Sequence, residues 1–177
     1  MAKPNILVLG ARAGVEVAKM GYPDIEADYL GYRLTTRKTN YYDAVIDYHS
    51  LQLLEQNKIV DYLVKVARTM KERAVINLFV PSLEWAAEQI VFEENPSPIT
   101  LAHIFGADKV HRSGHTLRSL RRDFAIAGFA VTHATEGLYT MEVQMNGEFG
   151  EIDAGQHVII GYKRNEVDNA TYKTLRE

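Results

Sequence analysis

The sequence opens on an apolar run that ends in glycine, Ile6-Leu-Val-Leu-Gly10, with a second glycine at Gly14. The run does not alternate between polar and apolar residues. Such a segment is a strand covered on both faces, which is the environment of a parallel sheet. Gly10 to Gly14 then reads as the turn after that strand. This feature limits the fold more than any other, because parallel strands need long crossovers between them.

The remaining punctuation agrees. Ile25 to Leu30 and Ala44 to Ile46 read as further strands, and Thr35 to Asn40 as a polar loop. Val15 to Met20 is a helical turn or two, broken by Gly21, Tyr22 and Pro23. From Lys58 to Met70, Ile59, Val60, Leu63, Val64, Val66 and Ala67 recur at helical spacing. Ala74 to Val80 is the strongest strand, stopped by Pro81. Ser82 caps a helix from Leu83, and Glu84 in its first turn suits the helix dipole. Asn95 to Pro98 is a loop, and Thr100 to Phe105 a short helix. Thr116 caps a helix with Leu117, Leu120, Phe124 and Ala125 on its inner face, and Gly128 ends it. Phe129 to Thr135, Leu138 to Met145 and His157 to Tyr162 are closing strands, with a hairpin turn at Asn146-Gly147. The expected fold is α/β, a Rossmann-like three-layer sandwich with a mostly parallel sheet and antiparallel C-terminal strands. One domain is expected over 1–164, followed by a polar tail over 165–177.

Composition narrows the function. The chain of 177 residues has no cysteine, so disulfides and thiolate metal sites are excluded. No apolar run reaches the length of a membrane span, and the N-terminal run is too short for a signal peptide. A soluble, cytoplasmic protein is expected. The net charge of −3 argues against a nucleic-acid partner while leaving room for a local basic patch. His103, His111 and His115 are spaced by eight and four, which is no recognised metal-ligand set, and no metal is expected. Arg112, Arg118, Arg121 and Arg122 read as a solvated helix face; beside a cleft they would hold a phosphate or carboxylate. Trp85, Phe79 and Phe92 read as core. Ser113 lies in no nucleophile motif.

Four segments, ILVLGARAG, YDAVIDYHSLQLLE, VARTMKERAVINLFVPS and HRSGHTLRSLRRDFAIAGF, occur in the order found in class I S-adenosylmethionine-dependent methyltransferases, and the chain resembles that family from Ile6 to Phe129. The resemblance implies S-adenosylmethionine as cofactor and methyl transfer to an unknown substrate. Carried over, Gly10, Ala11 and Gly14 match the cofactor loop, Asp28 and Tyr29 the adenine-facing segment, and Tyr48 the methyl-donor region. His49, beside Tyr48, is the candidate general base, with a histidine bonded to a loop carbonyl as the alternative.

Two departures stand out. Arg12 replaces the middle glycine of the family's G-x-G-x-G loop, where a Cβ and a long cation obstruct close approach. Only residues 15–27 separate Gly14 from Asp28. The segment IEAD therefore aligns with the family's third strand, and the second strand with its ribose-binding acid is missing. Glu16 and Asp24 are weak stand-ins. The alternative function is a non-catalytic protein of the same fold, acting in assembly or partner binding. A homodimer through the C-terminal strands is expected if they leave an open sheet edge.

Overall fold

The computed structural model describes residues 4–10, 26–30, 34–92, 100, 111–145 and 148–164; for 26–30, 139–145 and 148–153 it describes the course of the backbone. The fold is α/β and Rossmann-like. Six strands form one sheet: β1 (Asn5–Leu9), β2 (Glu26–Leu30), β3 (Tyr42–Tyr48), β4 (Met70–Pro81), β5 (Phe129–Met145) and β6 (Glu148–Lys163). Their spatial order is β2-β1-β3-β4-β6-β5. The first four run parallel, while β6 is antiparallel to both β4 and β5. Three helices are described: α1 (Ile59–Thr69), α2 (Leu83–Phe92) and α3 (Leu117–Ile126). None of them is long and apolar enough to cross a membrane.

Hydrophobic pattern and burial correspond closely at the centre. Ile6, Leu7, Val8 and Leu9 are all buried, as a strand covered on both faces requires. Leu7, Leu9, Val45, Ile76 and Leu78 share one core with Ile59, Leu63 and Val66 of α1 and Leu120 and Phe124 of α3. Each large aliphatic side chain buried there contributes about 1.5–3 kcal/mol. Ile6, Val8 and Ile46 form a second cluster with Ala44, Tyr48 and Phe79. Val60 and Val64 of α1 are only half-buried, and Tyr62 is buried instead.

Both hydrogen-bonding edges of β1 are occupied. Leu7 is paired with Asp28 on one side and with Val45 on the other. No strand intervenes between β1 and β2, so Glu26–Leu30 sits in the place directly beside the first strand.

Several expectations need correction. β4 starts at Met70, four residues before Ala74, because an irregularity between Tyr42–Met70 and Ala44–Val75 takes up the polar stretch Lys71 to Arg73. Arg73 has φ +59, as a bulge residue can. The two strands expected before Asn146 are one continuous β5, since pairing with β6 carries through Gly137 opposite Gln156. Strand β6 begins nine residues earlier than His157. Met145 pairs with Glu148, leaving two residues to connect them; Asn146 and Gly147 themselves lie outside the described residues. Ala125 is exposed, and Asp123 and Ala127 are buried in its stead. Phe92 is 83% exposed and belongs to no core. The segments 15–20 and 95–98 lie outside the described residues, as does the expected helix after Thr100.

The caps are as the sequence implies. Ser82 Oγ accepts from Trp85 N at 2.9 Å. Thr116 Oγ1 accepts from Ser119 N at 3.0 Å, and Ser119 Oγ accepts in turn from Thr116 N, which completes a capping box with serine in the place of glutamate. Gly128 ends α3 at φ +88.

Candidate functional site

The strand order reverses between β1 and β3: the chain moves outward from β1 to β2, then crosses back to β3 and β4. Ligands of open parallel sheets bind outside the carboxyl ends of the strands at such a switch point. Gly10 follows β1 there, Tyr48 and His49 follow from β3, and Pro81 ends β4.

Gly10 has φ +110, which disfavours any other residue. A Cβ placed on it would lie 1.9 Å from the Tyr48 carbonyl oxygen. The space saved by this glycine is filled by the backbone of β3. Its absence of a side chain is therefore a demand of the sheet itself.

His49 adopts φ +61, a left-handed conformation uncommon for a residue with a side chain. Its backbone N–H donates to Phe79 O at 2.9 Å, so the sheet is extended by one residue past Tyr48. The His49 ring stacks on Tyr48 with centroids 4.3 Å apart, and Tyr48 leans on Phe79 at 5.6 Å. An aromatic ledge thus stands over the ends of β3 and β4.

On the other face of β3 lies Asp47, fully buried, an acid without a motif in the sequence. Its carboxylate accepts from Tyr62 Oη at 2.7 Å and from Ser50 N at 3.3 Å. Burial raises the Asp47 pKa, with the Ser50 and Tyr62 hydrogen bonds working against the rise. The Tyr62 hydroxyl is pushed well above its usual value by burial and by the facing carboxylate. The signal available in sequence was an acid inside the apolar run Val45 to Tyr48.

A second polar cluster joins α2, β6 and the connector before α3. His157 Nε2 lies 2.8 Å from Glu84 Oε2 and 3.0 Å from the His115 carbonyl oxygen. Both partners accept, so Nε2 carries the hydrogen. His115 Nε2 is 2.9 Å from Ser113 Oγ, which also donates to Leu51 O at 3.1 Å; His115 Nε2 is then the donor to Ser113. Burial, then the nearby His157 imidazole, lowers the His115 pKa to about 4. Ser82 Oγ bonds Glu136 Oε1, and Glu84 Oε1 accepts from Leu117 N at 3.1 Å. Beside this cluster Gln52, Ser82, His111 and Ser113 line a cavity of about 10 Å³, the size of one water. Gln52 and His157 carry no sequence signal, and for Glu84 the sequence shows only its place in the first turn of α2.

The structure brings Gly10, Tyr48 and His49 to one strand edge. Asp28 and Tyr29 are placed on β2 at the register of Leu7 and Val8. Ala11, Arg12, Gly14, Glu16 and Asp24 lie outside the described residues, and so does His103. Arg112 and Arg118 are exposed, Arg121 donates to Ala134 O, and Arg122 forks onto the buried Asp123. Trp85 is half-buried against Gly155, where a Cβ would lie 2.2 Å from its ring. Among the described residues no three His, Asp or Glu side chains stand together as a metal site.

No protein-family model matches the sequence, and no curated protein is similar to it in sequence. Solved structures do resemble it. A protein studied for the conversion of a disulfide bond into a thioacetal group during echinomycin biosynthesis matches 98% of this chain and 81% of its own, with TM-score 0.63 and 16% identity. A SAM-dependent methyltransferase from Methanosarcina mazei matches over 94% and 95%, with TM-score 0.59 and 14% identity. A Haloferax volcanii protein solved in complex with the Trm112 methyltransferase activator matches over 96% and 86%, with TM-score 0.62 and 12% identity. The chain therefore has the fold of the class I S-adenosylmethionine-dependent methyltransferases.

Proposed function

We propose that this chain binds S-adenosylmethionine at the switch point between β1 and β3 and is a methyltransferase of unknown substrate. The observation that carries this reading is the convergence of Gly10, Tyr48 and His49 at the carboxyl ends of β1 and β3, the place where the strand order reverses. The likeness in fold to SAM-dependent methyltransferases supports it. In this reading the Tyr48 ring borders the methyl donor and the His49 imidazole accepts the proton of the attacking nucleophile. The chain's main contribution is alignment of the two reactants and exclusion of water.

The residues fit the cofactor in part. Gly10 ends β1 where the cofactor loop begins, yet its empty side-chain position is filled by Tyr48. The strand expected to bring a ribose-binding acid does not lie between β1 and β2. These two observations favour a second reading, a non-catalytic member of the fold that binds a partner. A second copy of the chain, pairing along the outer edge of the 17-residue β5, is the candidate partner.

Calorimetric titration with S-adenosylmethionine and S-adenosylhomocysteine separates the two. Gly10 is unsuitable as a probe, because any side chain there breaks the sheet. Tyr48→Ala and His49→Asn serve instead; asparagine tolerates the left-handed backbone of His49. Micromolar binding that Tyr48→Ala weakens tenfold or more supports the first reading. Absence of heat and of a melting shift at millimolar ligand replaces it with the second.

A further inference from the structure

The amino-terminal end of the sheet, remote from Gly10, carries three neighbouring open depressions. The first, about 180 Å³, is lined by Arg37, Lys38, Lys65 and Arg68 with three threonines. The second, about 630 Å³, is lined by Arg73, Tyr162, Lys163 and Arg164. The third, about 410 Å³, is lined by Arg121, Thr132, His133 and again Arg164. Arg164 joins the second to the third. Lys163 of the second depression is tied through Asn40 to Arg68 of the first: its Nζ donates to Asn40 Oδ1 at 3.0 Å and Met70 O at 2.8 Å, while Asn40 N donates to Arg68 O.

Eight lysines and arginines line this groove, and among the described residues no aspartate or glutamate does. In a protein of net charge −3 that segregation is marked. The ion pairs formed among the described residues, Lys71–Asp43, Arg122–Asp123 and His157–Glu84, leave Arg37, Lys65, Arg68, Arg73 and Arg164 outside them. Glu72, exposed next to Arg73 in sequence, lines none of the depressions. Tyr162, 40% exposed, lies among the cations of the second depression. Threonine hydroxyls flank the first and third depressions.

A cationic groove with an exposed aromatic side chain is the chemistry that tracks a phosphodiester backbone and stacks a base. A compact anion such as free phosphate would use one depression; three neighbouring ones around one end of the sheet suit an extended polyanion. We propose that this groove binds single-stranded nucleic acid. The inference stands independently of the cofactor reading, because the groove lies at the opposite end of the strands.

The test is fluorescence anisotropy of the full chain with 5′-fluorescein-labelled 20-nucleotide oligo(dT) and oligo(rU), without any cofactor. Neutralising about five phosphates gives a logarithmic salt slope of about −3.5, so affinity falls about a hundredfold between 50 and 200 mM salt. The pairs Arg37→Ala with Arg68→Ala, and Arg73→Ala with Arg164→Ala, each lower the affinity at 50 mM salt tenfold or more and reduce the slope by about 1.4. Tyr162→Ala costs a further factor of about five or more. The pair Arg112→Ala with Arg118→Ala, outside the groove, changes it less than twofold. Melting curves establish that each variant is folded. The proposal is overturned by no binding of either oligonucleotide at 50 mM salt, by equal losses in the control pair, or by capture on phosphatidylserine vesicles without oligonucleotide binding.

Discussion

At the carboxyl ends of β1, β3 and β4, the groups that look chemical are largely engaged by the protein itself. Gly10 makes room for the Tyr48 carbonyl, Asp47 holds Tyr62 and Ser50, and His49 stacks on Tyr48 while its amide bonds Phe79. At the opposite end, arginines and lysines line open depressions with no carboxylate among the described lining residues. The contrast shows that a motif's residues can be retained for packing, while a feature without any motif, charge gathered from four separated segments, is left for solvent or a ligand.

The largest effect that would sharpen this contrast is at Gly10. Gly10→Ala forces a Cβ to 1.9 Å from a backbone oxygen at φ +110, and it should cost several kcal/mol or prevent folding, read by urea denaturation. A mild effect would mean that β3 moves away readily and that the glycine serves something other than the sheet.

Next is the pH dependence contributed by His115. Its folded pKa of about 4 lies below the unfolded value of 6.5. Between those values the unfolded chain binds the extra proton, so stability falls as pH drops from about 6.5 to about 4. The full loss is about 3 kcal/mol. His115→Gln should flatten that limb in denaturation midpoints taken between pH 4 and 7. An unchanged limb would assign it to other groups of the cluster.

A smaller effect is expected where α2 meets β6. Gly155→Ala puts a Cβ 2.2 Å from the Trp85 ring and should cost about 1–3 kcal/mol. Trp85→Leu in the same chain should recover part of it, and a double-mutant cycle measures the coupling.

The smallest concerns Tyr62. Tyr62→Phe removes the hydroxyl from Asp47, with an expected cost of about 1–2 kcal/mol by thermal melting. A neutral result would mean that Asp47 is protonated and satisfied elsewhere, which would turn it from a structural acid into a group available for chemistry.

The alternation of buried strands and amphipathic helices was legible because each element carries its own period. Ile6 to Leu9, Ile59 to Ala67 and the caps at Ser82 and Thr116 were read from local residues. The continuity of β5 through Gly137 was not, because it depends on β6 lying opposite. Arg73 at the start of β4 was hidden for a similar reason: a bulge is set by the partner strand, and its polar residues read as loop. At the candidate site, Gly10, Tyr48 and His49 stood out through the order of segments. Asp47 was concealed inside an apolar run, and His157 in a strand, because burial of a polar group becomes visible only with its partners. The basic groove was the least legible feature: Arg37, Lys65, Arg73 and Arg164 are scattered in sequence and meet only when β6 returns to the start of β4.

That return has a consequence for how the chain comes off the ribosome. β6 is made after both β4 and β5, yet it sits between them. Until Gln156 to Tyr162 have emerged, β4 keeps one side bare and Ala130 to Gly137 have nothing to pair with. A nascent chain halted before residue 155 would therefore present the bare side of β4 and the unmatched first half of β5 to its neighbours, and synthesis of Gln156 to Lys163 converts an aggregation hazard into a paired sheet.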